Sequence, residues 1–327
     1  MKTNLSFGMY RALLITAHLL LFLAQPAHPQ AAAGAAPAPA ARECREAVLI
    51  LPFQASSQAE ADLGIGIHNL IENMMLQHGG LEETWVLNSY RTLFPSYSNL
   101  AAYRLGRGEA KGLEELPMRW VVTGRIENRR LTLEVLDRAS GAQADTVLRL
   151  DPPAWTKFRK EFIALTGRAG VPWTEERSRG MLWQEDLSLA AMEGMGRGLR
   201  DYIEVMIYKP EGRTYSEQEF VRAGGGRSKS YLLENNLGWV RYQQGQYDQA
   251  LVFFEKAIGL HGDGIDALDG LRELALRVPD VERITTALER KVKARQEGGI
   301  APATWAWVAE RYSALGDERD AKTDQPF

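Results

Sequence analysis

The chain has 327 residues, of which 45% are hydrophobic, 25% are charged and one is a cysteine. At the usual ~150 residues per domain, this length predicts two domains. The hydrophobic fraction excludes a fully disordered chain, and the single cysteine excludes a disulfide-built mini-fold. The formal net charge of −3 excludes a strongly basic nucleic-acid binder. We therefore expect a globular protein with no nucleic-acid partner.

The amino-terminal segment, residues 1–33, has the pattern of a secretory signal peptide. Its charged residues are Lys2 and Arg11, and the apolar run Ala12–Ala24 follows them. That run is shorter than the roughly 20 residues needed to cross a bilayer, and a small-x-small cleavage motif follows at 31–33. We predict export to the periplasm or beyond, with no stable membrane anchor after cleavage; an uncleaved anchor is the alternative.

An Ala- and Pro-rich spacer, residues 34–44, separates the signal from the folded part. Its composition offers no apolar face to bury. Cys44 closes the spacer, but Arg42 and Glu43 stand where a bacterial lipoprotein has a small apolar box, so lipidation is not expected. Beyond the spacer, residues 42–182 carry equal numbers of acidic and basic side chains, whereas residues 183–327 carry an acidic excess.

The pattern over residues 45–166 predicts a mixed-sheet α/β domain. A short apolar run at 47–53 indicates a buried strand, and apolar residues at helical spacing over 63–75 indicate a helix. A second strand is predicted at 84–89, and a partly helical stretch at 97–116. Three strands of a meander then occupy 119–150, with a tight connection at Asn128-Arg129, and a helix closes the domain. The order is strand, helix, strand, helix, three-strand meander, helix.

These residues resemble a known family. Val48-Leu-Ile-Leu-Pro-Phe53, the following helix, Val121-Val-Thr-Gly124 and a hairpin ending Asp137-x-x-Ser-Gly141 look like the TolB amino-terminal-like domain. Domains of curli-secretion and flagellar-assembly lipoproteins share this layout. The resemblance implies a binding or scaffolding element of the bacterial cell envelope and brings no catalytic residues with it.

After a linker at 167–185, residues 186–327 are predicted to form an all-α domain of helical repeats. Leu237-Gly238, Gly245, Tyr247, Ala250, Phe254 and Ala257 have the spacing of a tetratricopeptide repeat. A degenerate copy follows at Leu271, Val281, Ile284 and Leu288, and a last copy begins at Trp305. Such helix pairs bury their apolar faces only by stacking on their neighbours.

The repeat register predicts a partner-binding groove on the first helix of each pair. In such repeats, positions 2, 5, 9 and 12 of that helix line the groove, which gives Leu232, Asn235, Trp239, Tyr242, Asp266, Asp269, Glu273 and Glu310. Two aromatic side chains and an amide beside four carboxylates suit an extended protein segment of basic or neutral character. The alternative is that Trp239 and Tyr242 belong to the core between repeats.

No enzymatic constellation stands out. His68, His78 and His261 lie far apart and are interpreted as surface or helix-end residues. Gly64-x-Gly66 lacks the third glycine of a dinucleotide loop, and no cysteine or histidine group has zinc spacing. We expect no catalytic residue, no cofactor and no metal site.

The sequence therefore predicts a non-enzymatic exported scaffold or adaptor, with a role in envelope assembly or maintenance. It binds a protein or peptide partner, and self-association is a further option. Two alternatives remain open: a regulatory or sensory module of a signalling system, and a hydrolase with an unrecognised site. A deep pocket with strongly perturbed titratable groups would favour the hydrolase.

Overall fold

The structure, a computed structural model, describes residues 45–78, 83–85, 92–150, 155–173, 178, 185–208, 218–224, 229–261, 264–275 and 277. Several predictions lie outside these residues: the signal peptide, the spacer with Cys44, the second helix of the degenerate repeat copy, and the last copy with Glu310.

Six strands and a series of helices follow one another along the described chain. The strands are β1 Arg45–Ile50, β2 Gln54–Ala55, β3 Glu83–Trp85, β4 Met118–Glu127, β5 Arg130–Asp137 and β6 Gln143–Arg149. The helices are α1 Gln58–His78, α2 Tyr97–Arg104, α3 Trp155–Arg168, α4 Leu189–Ile203, α5 Gln218–Gly224, α6 Tyr231–Gln243, α7 Tyr247–Leu260 and α8 Ile265–Ala275. A 3₁₀ turn, Leu113–Glu115, precedes β4, and a π-helical turn, Glu204–Tyr208, continues α4.

The strands form one mixed sheet in the order β3-β1-β4-β5-β6, with β2 pairing on β4. β1 runs parallel to β3 and β4, whereas β4, β5 and β6 are antiparallel. This arrangement confirms the predicted mixed α/β fold and its meander. The predicted second strand appears as β3, which ends at Trp85 in the described chain.

The β4–β5 connection is the tight turn expected from the sequence. Asn128 and Arg129 both have positive φ, 52° and 57°, as a two-residue type I′ turn requires. The carboxylate of Glu60, in the first turn of α1, accepts hydrogen bonds from the backbone N–H groups of both residues. Helix α1 thereby holds the tip of the hairpin.

One helix, α1, is buried on two sides. One side packs on the sheet: Gly64 lies against Phe53 and Ile126. The other side packs on α4, and α1 also contacts α6 and α8. An amphipathic surface helix would show a solvent-facing stripe, but every residue from Ala61 to Ile71 is buried.

The sheet and the helices α4–α8 share one contiguous hydrophobic core. Other contacts join the two parts: Trp155 Nε1 donates to Leu187 O at 2.6 Å, and Tyr208 Oη donates to Phe94 O at 2.9 Å. The predicted linker begins inside α3, and Trp120 Nε1 donates to Ala169 O just beyond that helix. The domain boundaries themselves stay a prediction.

Candidate partner-binding site

Seven of the eight predicted groove residues come together on two neighbouring helices. α6 carries Leu232, Asn235, Trp239 and Tyr242, and α8 carries Asp266, Asp269 and Glu273. Asn235 Nδ2 donates to Asp266 Oδ2 at 2.7 Å, which joins the two helices directly. Glu310 lies outside the described residues.

The sequence positions these helices through their ends and their small residues. Ser230 caps α6, since its hydroxyl accepts from Leu233 N at 3.1 Å. Gly245, with φ of 73°, makes the turn into α7. At the α6–α7 crossing, a Cβ on Gly238 would lie 2.5 Å from the Phe254 ring, so only glycine permits this approach.

The aromatic pair divides between core and surface. Tyr242 is buried, and Trp239 is half-buried with its ring packed edge-to-face on Phe254 of α7 at 5.3 Å. The two predicted groove rings also contact each other at 5.7 Å. Tyr242 therefore lies in the core, as the alternative interpretation of the two aromatic residues predicts.

Burial limits direct contact with a partner to part of the predicted groove. Leu232, Asn235, Tyr242 and Glu273 are buried, and Glu273 is only 2% exposed. Trp239, Asp266 and Asp269 are half-buried. These three side chains, which we call the α6–α8 patch, are the part that a partner can touch. Their role in binding stays a prediction.

Two buried phenols beneath the patch lie close to acidic side chains. Burial raises the pKa of the Tyr242 phenol, and the negative charge of Glu273 acts in the same direction. Arg277 Nε donates to Tyr242 Oη at 3.4 Å and opposes both effects. Burial also raises the pKa of Tyr231, with Asp266 contributing. The negative charges of Glu273 and Asp266 thus act on buried phenols next to the patch.

The helices α4–α8, which we call the helical half, pack against α1 through contacts of α1 with α4, α6 and α8. A Cβ on Gly66 would lie 2.4 Å from Met192 O, and a Cβ on Gly196 would lie 1.8 Å from Asp62 O. The backbones of α1 and α4 thus touch at two glycines. Farther along α1, Asn236 Nδ2 of α6 donates to Asn69 Oδ1 at 2.9 Å.

An ion pair also joins α1 to α4. Arg200 Nη1 donates to both carboxylate oxygens of Asp62, at 2.8 and 2.9 Å. The Asp62 side chain is 4% exposed and the Arg200 side chain 26% exposed. Burial raises the pKa of the Asp62 carboxyl in spite of the guanidinium beside it. The pair is thus partly desolvated, and Gln58 Nε2 adds a second hydrogen bond to the Asp62 carboxylate at 2.9 Å.

Two other motifs from the sequence have structural positions. Gly64 and Gly66 lie within α1, where each packs closely on neighbouring residues. The interpretation of His68 as a surface or helix-end residue is wrong: it lies within α1, and its Nε2 donates to Ile50 O at 3.1 Å. His261 does follow the end of α7 and packs on the Tyr231 ring at 5.2 Å.

The sequence alone did not single out the residues that join α1 to the helical half. Asp62, Gly66 and Asn69 recur at helical spacing on one side of α1, which is the pattern of a solvent-facing polar stripe. The one available signal was the pair of glycines, Gly66 and Gly196, each inside a helix, where glycine is otherwise unfavourable.

Within the described ranges, no group of three His, Cys, Asp or Glu side chains comes together as a metal site. The helices of this part of the chain are too short or too polar to span a bilayer.

No family model, no curated protein and no solved structure matches the chain.

Proposed function

We propose that this protein is a non-enzymatic exported adaptor of the bacterial cell envelope, which docks a protein partner on the α6–α8 patch. The observation that carries the proposal is that the half-buried Trp239 of α6 and the half-buried Asp266 and Asp269 of α8 lie on neighbouring helices, which the Asn235–Asp266 hydrogen bond joins. A tryptophan with one accessible side is a typical anchor for a partner's apolar side chain.

The proposal treats α4–α8 as tetratricopeptide-like repeats. Phe254 packs between glycines of two successive first helices, Gly238 and Gly270, whose added Cβ atoms would lie 2.5 and 2.4 Å from its ring. Ala250 and Ala257 of α7 are fully buried, as small residues at helix crossings should be. Phe220, 34 residues before Phe254, is buried in the same way on α5. These contacts support the repeat register.

The partner's chemistry follows from the patch. Asp266 and Asp269 provide negative charge, and residues 183–327 have an acidic excess. A basic or neutral extended segment is complementary, whereas an acidic segment is repelled. The α/β part, proposed to be TolB-amino-terminal-like, then binds a second component. Helix α1 packs on α4, α6 and α8, and this packing supports a preorganised docking surface with a lower entropy cost of binding.

Site-specific photocrosslinking in intact cells tests this proposal. A photoreactive residue at Asp269 is expected to give a discrete adduct with one protein, and the same residue at the exposed Val252 of α7 is expected to give none. The Asp269 adduct should disappear when Trp239→Ala is added. Identical adducts from both positions, or an adduct that survives Trp239→Ala in a folded variant, would overturn the docking site.

A further inference from the structure

The outer edge of β6 has an unusual order of side chains. β6 is the last strand of the sheet in the described chain. One face of β6 carries three exposed side chains, those of Asp145, Val147 and Arg149. Val147 is 57% exposed, which is the highest value among the exposed large hydrophobic residues of the described chain. An acid, an apolar residue and a base thus follow one another at alternate positions.

At these positions, the backbone N–H and C=O groups point away from β5, towards the open edge of the sheet. At the two ends of the β5–β6 pairing, Asp137 N donates to Ala142 O at 2.8 Å and Leu150 N donates to Arg129 O at 3.0 Å. Hydrogen-bonded pairs alternate in an antiparallel ladder, so the residues between them direct their N–H and C=O groups outwards. These residues are Gln143, Asp145, Val147 and Arg149. The bond from Arg168 Nη2 to Asp145 O, 3.0 Å, is consistent with this direction.

We propose that two copies of this chain pair edge to edge through β6, antiparallel about a two-fold axis at Val147. This inference rests on the binding role proposed for the α/β part and identifies one of its partners as a second copy. It is independent of the α6–α8 patch, so either proposal can fail alone.

The charge order selects this register. With the axis at Val147, Asp145 of each copy stands opposite Arg149 of the other, and the two exposed Val147 side chains bury each other. An axis at Asp145 or at Arg149 would instead set like charges opposite each other. The backbone agrees, since the outward N–H and C=O groups of Val147 bond to their counterparts. Asp145 O has a second lone pair beside its bond to Arg168.

The strength of the association follows from the size of the contact. One pair of edge strands buries less than the ~1,200 Å² of total surface typical of stable complexes. We therefore expect a dimer that forms at roughly micromolar or higher protein concentration. Sedimentation equilibrium of the purified protein over a concentration series measures it.

Charge reversal tests the register. Asp145→Arg alone and Arg149→Asp alone each create like-charge pairs on both sides of the axis and should lower the association constant about tenfold or more. An equimolar mixture of the two variants restores both ion pairs and should associate as well as the wild type. Arg125→Asp, an exposed reversal on the central strand β4, two strands away from β6, is the control and should leave association unchanged.

A disulfide provides a second readout. In a Cys44→Ser background, Val147→Cys places two sulfhydryl groups on a hydrogen-bonded pair, whose Cα separation of ~5.5 Å suits a disulfide. Mild oxidation should crosslink this variant much faster than Glu134→Cys on β5, one strand in from the edge. A monomeric wild type at every concentration, equal crosslinking of both variants, or a mixture that fails to associate would overturn the proposal.

Discussion

At several buried polar residues, the environment differs from the one that the local sequence indicates. His68 is a clear case, because an imidazole within a helix is ordinarily compatible with solvent. Here burial lowers its pKa to about 4, and the positive charge of Arg104 acts in the same direction, while the bond to Ile50 O opposes both. The folded protein therefore holds His68 neutral. The sequence could not predict this, since the bond partner belongs to β1, 18 residues earlier.

This pKa predicts a pH dependence of stability. Between about pH 4 and pH 6.5, His68 is protonated in the unfolded chain but neutral in the folded chain. Because the unfolded state binds more protons, the free energy of unfolding rises with pH across this window. His68→Gln removes this contribution. Chemical denaturation at a series of pH values should give a free-energy gain from pH 4 to pH 6.5 that is roughly 3 kcal/mol larger in wild type than in the variant. Parallel pH profiles would contradict the neutral buried state.

At the scale of elements, the sequence predicted most helices and strands but not the second buried side of α1. Apolar periodicity identifies one core-facing side of a helix, and the polar residues between are then assigned to solvent. In α1, that polar side instead meets α4 at Gly66 and Gly196, with helix backbones in contact. Whether a polar stripe faces water or another helix depends on long-range partners. The hairpin turn at Asn128-Arg129 was predictable because its chemistry is local.

Gly196 is therefore expected to be intolerant of any side chain. Gly196→Ala places a methyl group 1.8 Å from the Asp62 backbone oxygen and must separate the helices, at a cost of about 3 kcal/mol. Gly259→Ala is the matched control, because its Cβ in α7 meets open space, and it should stabilise the protein by roughly 0.5–1 kcal/mol. Thermal unfolding measures both. Equal transition temperatures for the two variants would contradict the α1–α4 contact.

At the scale of the whole molecule, α1 joins the sheet to the helices α4–α8, and we expect the two to unfold as one cooperative body. Asp62 and Arg200, 138 residues apart, form the ion pair that ties their two halves together, and the hydrophobic core runs through both. Composition and periodicity predicted two domains with a linker, because each half has its own pattern. They could not predict the interface between them, which rests on two glycines and a few polar residues.

Loss of this ion pair should weaken both halves at once. Arg200→Ala leaves the buried carboxylate of Asp62 with a neutral hydrogen-bond donor, Gln58, but without its ion-pair partner, and should cost about 2–3 kcal/mol. Arg222→Ala, which removes a 67% exposed side chain paired with Glu219, is the control and should cost less than about 0.5 kcal/mol. Hydrogen exchange should report lower protection in the sheet and in α4–α8 together. A loss confined to α4–α8 would contradict a single cooperative unit.

Docking of a protein partner on the α6–α8 patch is the proposed function, and binding calorimetry with the crosslinked partner protein tests it most directly. Trp239→Ala and Asp269→Lys should each weaken binding at least about tenfold, as loss of an anchor and reversal of a complementary charge require. Asp248→Lys makes the same charge change at an exposed site on α7 and should bind as the wild type does. Wild-type affinity in folded Trp239→Ala and Asp269→Lys proteins would contradict docking at this patch.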